Sequence, residues 1–217
     1  MVAPQMPMTA TEAFSSAPEF ATATIRVLDY DTADVARPAN MVRLSTPETD
    51  EVTAELDGAT EWLGVASDEI LLAALARTIA KTLGEGVVPV DVASERGCML
   101  DAVPLMCATA QQASATEVLR GVHRILASAS ESAADGISEV YFNYLGEVPD
   151  ESVPVPVQEA PPILGHALEL RVYRTEGRVH VDWWYDTSRF EAYTVEELTE
   201  QFPRALYEMT SDALPIS

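Results

Sequence analysis

The seven residues Val140-Tyr-Phe-Asn-Tyr-Leu-Gly146 constrain the fold more than any other stretch of the chain. All but Asn143 and the closing glycine are β-branched, aromatic or large aliphatic residues, the types that fit a pleated sheet. Side chains alternate along a strand, so Val140, Phe142 and Tyr144 share one face and Tyr141, Asn143 and Leu145 the other. Both faces are largely apolar, which predicts a central strand buried on both sides. Asn143 is then a polar amide in an apolar setting, where its carbonyl and two N–H donors need partners. Such a residue either pins a neighbouring loop by hydrogen bonds or meets a ligand.

The segments on either side alternate between helical and strand periodicity. From Asp68 to Leu83, Leu71, Leu75 and Ile79 fall four apart while Leu72, Ala76 and Leu83 widen the stripe, which predicts a mostly buried helix. Ser67 is its expected cap, with Asp68 and Glu69 in the first turn and Gly84 just past the end. Thr46-Pro47-Glu48 predicts an earlier helix start, with Val52 and Leu56 inward and an end at Asp57-Gly58. Ser114 to Ala129 reads as a third helix, turning Val118, Leu119, Val122, Ile125 and Leu126 inward and His123 to its polar flank. The last helix is expected to open at the capping box Thr194-Val-Glu-Glu197, to bury Val195, Leu198, Phe202 and Leu206, and to kink or stop at Pro203.

Further strands are expected at Ala23 to Leu28, Met41 to Leu44 and Val87 to Val92. Ala167 to Tyr173 and Val179 to Tyr185 read as a hairpin turning at Thr175-Glu-Gly-Arg178. Residues 1 to 22, rich in Pro, Ala, Thr and Ser, read as a linker or tail, and 23 to 217 as one domain. Glu147 to Pro162 is acidic and proline-rich, the composition of a surface loop.

Phe142-Asn-Tyr-Leu-Gly146 resembles the FNYLG signature near the end of the epimerisation domains of nonribosomal peptide synthetases, members of the condensation-domain superfamily. The elements that follow keep the family's order: a strand, a turn at Glu176-Gly177, a Trp-Tyr-containing strand at Val181 to Tyr185, and a last helix. Upstream, Val42-Arg-Leu-Ser45, the helix with Ile70-Leu-Leu-Ala-Ala-Leu75, and Val88-Pro-Val-Asp91 are similar to the start of that family's second, C-terminal lobe. The resemblance covers about residues 40 to 212 and half of a two-lobed domain. It implies an α/β fold: a mixed sheet of five or six strands with packed helices, one lobe of the chloramphenicol-acetyltransferase-like architecture.

The resemblance also points to residues. Epimerisation domains carry a glutamate and a Gly-Arg pair after the comparable strand, and the glutamate shares proton transfer with a first-lobe histidine. Here Ser94-Glu-Arg-Gly97 has different spacing, so Glu95 and Arg96 are retained as candidate interface residues without the catalytic role. Asn143 and Tyr144, from the signature itself, and Glu147, at the start of a loop that in relatives reaches over the lobe interface, complete the candidate set. Where the family has V-G-W-F-T, this chain has Ala102-Val-Pro-Leu-Met-Cys107, without the glycine or the aromatic pair.

Complete members place an HHxxxDG motif on the first lobe. Here His123, His166 and His180 are isolated in sequence, so no positioned base is legible. His180 and Asp182 share a strand face, but no serine or cysteine motif accompanies them. Zinc-ligand spacing, a phosphate-binding loop and a dinucleotide fingerprint are absent, so neither metal nor cofactor is expected. Cys98 and Cys107 form no CxxC and read as reduced, partly buried thiols.

The chain has 35 acidic and 13 basic residues, a net charge of −22. That field repels phosphates and anionic membranes, so nucleic acid and membrane insertion are not expected partners. The N-terminus lacks a basic segment followed by an apolar one, so a cytoplasmic location is expected.

The resulting expectation is a non-catalytic, condensation-like C-terminal segment of a nonribosomal peptide or polyketide synthase. It would dock a trans-acting acyltransferase or thioesterase that handles the carrier-bound product. The alternative is half of a split acyl-transfer, condensation or epimerisation enzyme, completed by a separate N-terminal lobe bearing the histidines. The face that would meet that lobe also suits a homodimer.

Overall fold

Six strands form one mixed sheet in the order β1-β6-β5-β4-β2-β3. The structure is a computed structural model and describes residues 23–31, 35–47, 50–93, 99–129, 137–148 and 160–216. The strands are β1 (Met41–Ser45), β2 (Gly86–Ala93), β3 (Met99–Cys107), β4 (Val140–Glu147), β5 (Leu168–Thr175) and β6 (Arg178–Asp186). The helices are α1 (Asp50–Leu63), α2 (Ser67–Thr82), α3 (Ala115–Ser128) and α4 (Ala192–Asp212).

Strand β4 lies inside the sheet, parallel to β2 on one side and to β5 on the other. Its two faces differ more than the sequence predicts. Val140, Phe142 and Tyr144 are fully enclosed, whereas the other face runs from buried Tyr141 through half-buried Asn143 to exposed Leu145. The end of the strand therefore emerges from cover on one side only.

One face of the sheet carries the apolar core. Val88, Val90 and Val92, Val103 and Leu105, Val140, Phe142 and Tyr144, Leu168, Leu170 and Val172, and Val179, Val181, Trp183 and Tyr185 join the same buried cluster as the apolar residues of all four helices. Helix α2 lies at its centre, with every residue from Ile70 to Ala80 buried. Each fully enclosed Leu or Ile there contributes about 1.5–3 kcal/mol of transfer free energy.

A charged residue is enclosed with them. Arg77 is fully buried, donates through Nη2 to the Ala113 carbonyl at 2.7 Å and through Nη1 to the Ala108 carbonyl, and places Nε 2.9 Å from Glu208 of α4. Burial pushes its pKa down, and Glu208 and Glu85 oppose that shift. One side chain thus ties α2, the β3–α3 connection and α4 together.

Several local expectations are corrected. Helix α1 does not end at Asp57-Gly58: Ala59 and Leu63 continue the stripe of Val52 and Leu56, and their burial outweighs the roughly 1 kcal/mol penalty of an interior glycine. Thr46 holds the Trp183 indole N–H at 3.1 Å, a bond inside the core. Ser67 is the first residue of α2, whose N-cap is Ala66 with no side-chain cap. Helix α4 starts two residues before Thr194, with Glu191 as N-cap, and runs through Pro203 to Asp212. Packing of Phe202, Ala205, Leu206 and Met209 on α2 and the sheet holds the later turns against the lost hydrogen bond.

Residues 23 to 28 do not form a strand; Thr24 makes a single parallel bridge to Val87. That contact explains Gly86, where a Cβ would stand 2.4 Å from the Ala23 carbonyl oxygen. The β5–β6 hairpin turns as expected, with Glu176 and Gly177 both at positive φ, the signature of a tight two-residue turn.

Candidate functional site

The sheet face turned away from the helices carries a polar layer. Strand register aligns Asp91, Tyr141, Glu169, Trp184 and Arg43 in one row across β2, β4, β5, β6 and β1. The next row aligns Ala93, Asn143, Arg171, Asp182 and Ser45. Asp91, Glu169, Arg171 and Asp182 are all buried. Charges in such places are tolerated only when paired and hydrogen-bonded.

The pairing is dense at the centre. Glu169 Oε1 accepts from Arg171 Nε at 2.7 Å and from Asn143 Nδ2 at 3.0 Å. Arg171 also donates to the Ala160 carbonyl at 2.7 Å, and its guanidinium lies 5.5 Å from the centre of the Trp184 ring. Asn143 therefore binds through its amide N–H to a carboxylate already held by an arginine. Towards β1, Asp182 accepts from Ser45 Oγ at 2.6 Å and from the Tyr173 hydroxyl at 3.0 Å.

A second cluster sits where β4 and β5 begin. Asp91 Oδ2 lies 2.8 Å from His166 Nε2 and accepts the Ser138 backbone N–H at 2.9 Å, while Oδ1 accepts the Ser138 hydroxyl at 2.9 Å. Tyr141 stacks on the imidazole, 4.6 Å between ring centres. Burial, aided by Glu169 and Asp91 and opposed by Arg171, pushes the Tyr141 phenol up to about 12. Neither His166 Nδ1 nor Trp184 Nε1 has a hydrogen-bond partner among the described residues.

Chemically this arrangement positions and locks. The Ser138 hydroxyl bonds the carboxylate and not the imidazole, so the cluster lacks the nucleophile-to-base contact of a relay. His180 and Asp182, neighbours on β6, also take other partners: His180 bonds Thr175 at 2.6 Å and stacks on Tyr173, and Asp182 accepts from Ser45 and Tyr173. No group of three or more potential metal ligands occurs among the described residues.

The sequence-derived candidates separate. Asn143 belongs to the Glu169–Arg171 network. Tyr144 points the other way, into the helix-facing core. Glu147 is exposed at the end of β4, aligned with Arg174. Glu95 and Arg96 lie outside the described residues, as does most of the proline-rich loop after Glu147. His166 and His123, isolated in sequence, each meet a carboxylate in space, Asp91 across 75 residues and Glu69 across 54. A buried aspartate in the Val88-Pro-Val-Asp91 strand is the one sequence signal of the first of these pairs. Cys107 is buried and free, and desolvation raises its thiol to about 12.

No family profile matches the chain. One of the subunits of the phenolphthiocerol/phthiocerol polyketide synthase of Mycobacterium tuberculosis is 35% identical over 228 aligned positions, which take in 84% of this chain and 15% of that protein. Among solved structures, the epimerization domain from the third module of tyrocidine synthetase B superposes with a TM-score of 0.66 at 16% identity, covering 89% of this chain and 52% of that one. The X-domain solved in complex with OxyB from teicoplanin biosynthesis gives 0.58 at 15% identity, covering 90% and 50%. The chain thus spans about half the length of the solved domains and a small part of the curated relative. By its fold the chain resembles about half of an epimerization or condensation domain of the kind found in nonribosomal peptide synthetases.

Proposed function

We propose that the chain is a non-catalytic, condensation-like docking segment of a polyketide or nonribosomal peptide synthase, one that holds a trans-acting acyltransferase or thioesterase beside the carrier-bound product. The observation that carries this reading is the fate of Asn143. Its amide donates to Glu169, and Glu169 is held by Arg171, so the half-buried signature residue works within an ion-pair network. His166 is likewise enclosed and held by Asp91. The similarity to a polyketide synthase subunit, and to a domain solved in complex with another protein, supports a place in such an assembly.

Charge selects among partners. A surface at −22 repels acidic partners and steers in basic ones, with an association rate that falls as salt screens the field. The test is titration of the labelled chain against purified acyltransferases and thioesterases encoded beside the same synthase, at about 50 and 500 mM salt. Saturable binding with a slower on-rate at high salt supports docking. Binding by none of them, or an on-rate indifferent to salt, refutes it.

A split enzyme is the second reading, favoured by the buried Nδ1 of His166, which has no partner among the described residues. It predicts that a histidine-bearing lobe supplied in trans restores turnover.

A further inference from the structure

We infer that the outer face of α1 is the docking surface, and that its occupant is a protein surface carrying arginines around an apolar contact. This rests on the docking reading and assigns it a place. At 3.6 residues per turn, Val52, Leu56, Ala59 and Leu63 line the buried side of α1. The opposite arc presents Glu51, Ala54, Glu55, Gly58, Glu61 and Trp62, all exposed. Trp62 is 66% exposed, a large indole left in water on a helix whose valine and leucines are all enclosed. Beside it the helix is low: Ala54 is small, and nothing lies within 4 Å of where a Cβ on Gly58 would stand. An indole next to a shallow step, between carboxylates on both sides, is the form of an interface anchor with a polar rim.

The chain itself shows which ligand chemistry this helix takes. On one flank of the arc, Asp57 receives a forked contact from both Nη atoms of Arg174, and Asp50 pairs with Arg178 Nε at 3.1 Å. Two carboxylates of α1 already bind guanidinium groups from the β5–β6 hairpin. Glu51 and Glu61 form no ion pair among the described residues and offer the same chemistry outward. A second copy of the chain is a poor occupant, since it brings another net charge of −22 to the contact.

The experiment uses the acyltransferase or thioesterase that binds in the titration above. Trp62→Ala removes the anchor from an exposed position, and Glu51→Lys/Glu61→Lys reverses the rim. The expected results are a Kd weakened about 30-fold or more by the first, and an on-rate reduced about tenfold at low salt by the second. Ile163→Ser, at an exposed isoleucine near Gly165, which Val35 and Ile137 flank, should leave Kd unchanged. Unchanged binding by both α1 variants, with loss in Ile163→Ser, overturns this surface while docking stands. A Trp62-dependent dimer in sedimentation overturns the assigned occupant. If no acyltransferase or thioesterase binds the intact chain, the docking reading fails and this surface with it.

Discussion

Replacing Arg77 by methionine removes the tie at the centre of the helical layer with little change in volume. The substitution strips the Ala108 and Ala113 carbonyls of charged donors and deprives Glu208 of its buried cation. Leaving two enclosed carbonyls without their charged donors costs about 1–3 kcal/mol each, and with the lost half of the Glu208 pair the total comes to about 3–5 kcal/mol. Against a total stability of about 5–15 kcal/mol, that is a large fraction.

Lys81 provides the comparison. It bonds the second oxygen of Glu208 at 2.7 Å from a more exposed position, so Lys81→Met should cost less than about 1 kcal/mol. The assay is equilibrium urea unfolding followed by circular dichroism and tryptophan fluorescence. With a slope of about 2 kcal/mol per molar, Arg77→Met should lower the midpoint by roughly 1.5–2.5 M. Adding Glu208→Leu to Arg77→Met should recover only a small part of the loss, since it removes a carboxylate that still keeps Lys81. The reasoning fails if Arg77→Met costs less than about 1 kcal/mol, or no more than Lys81→Met.

Three further outcomes follow from the site. Asn143→Ala loses one hydrogen bond to a carboxylate that keeps its arginine, so Tm should fall by about 2–4 °C with partner binding intact; lost binding at an unchanged Tm would make Asn143 functional. The Tyr141 phenol is raised from 10 to about 12 in the folded protein, so its stabilisation is complete below pH 10 and is lost as pH rises towards 12. Urea midpoints from pH 9 to 11.5 should therefore fall less steeply in Tyr141→Phe, and parallel slopes would contradict the assignment. In a Cys98→Ser background, buried Cys107 should resist alkylation at pH 8 until urea unfolds the chain, whereas rapid labelling of the native protein would show that its cover opens.

Much of the architecture is legible in local patterns. Val140 to Gly146 marks the interior strand, the spacing of Leu71, Leu75 and Ile79 marks the buried helix, and Glu176-Gly177 marks the hairpin turn. The differences arise where packing overrides local rules. Gly58 and Pro203 are breakers by propensity, yet Leu63 beyond one and Leu206 beyond the other are buried and hold their helices together. Thr46 and Thr194 suit caps because hydroxyls favour that position, but one bonds Trp183 and the other lies inside the first turn.

The site is less legible because its contacts are long-range. Asn143 is visibly a residue that needs partners, but Glu169 stands 26 residues away and its place beside Asn143 depends on strand order. His166 lies in a loop pattern, and only the parallel pairing of β2 with β4 and of β4 with β5 brings Asp91 to it. The exposed indole of Trp62 sits beyond the point where Asp57-Gly58 suggests that the helix ends.

The most direct test of docking is the rate at which the trans-acting enzyme releases an acyl group from its carrier protein, measured with the carrier free and with it fused to this chain. Docking raises the enzyme's effective concentration at the carrier towards the millimolar range, so KM should fall at least tenfold with kcat unchanged. The fusion should lose that gain in about 500 mM salt. Equal KM for free and fused carrier would contradict the account, as would release catalysed by this chain together with a histidine-bearing lobe and no trans-acting enzyme.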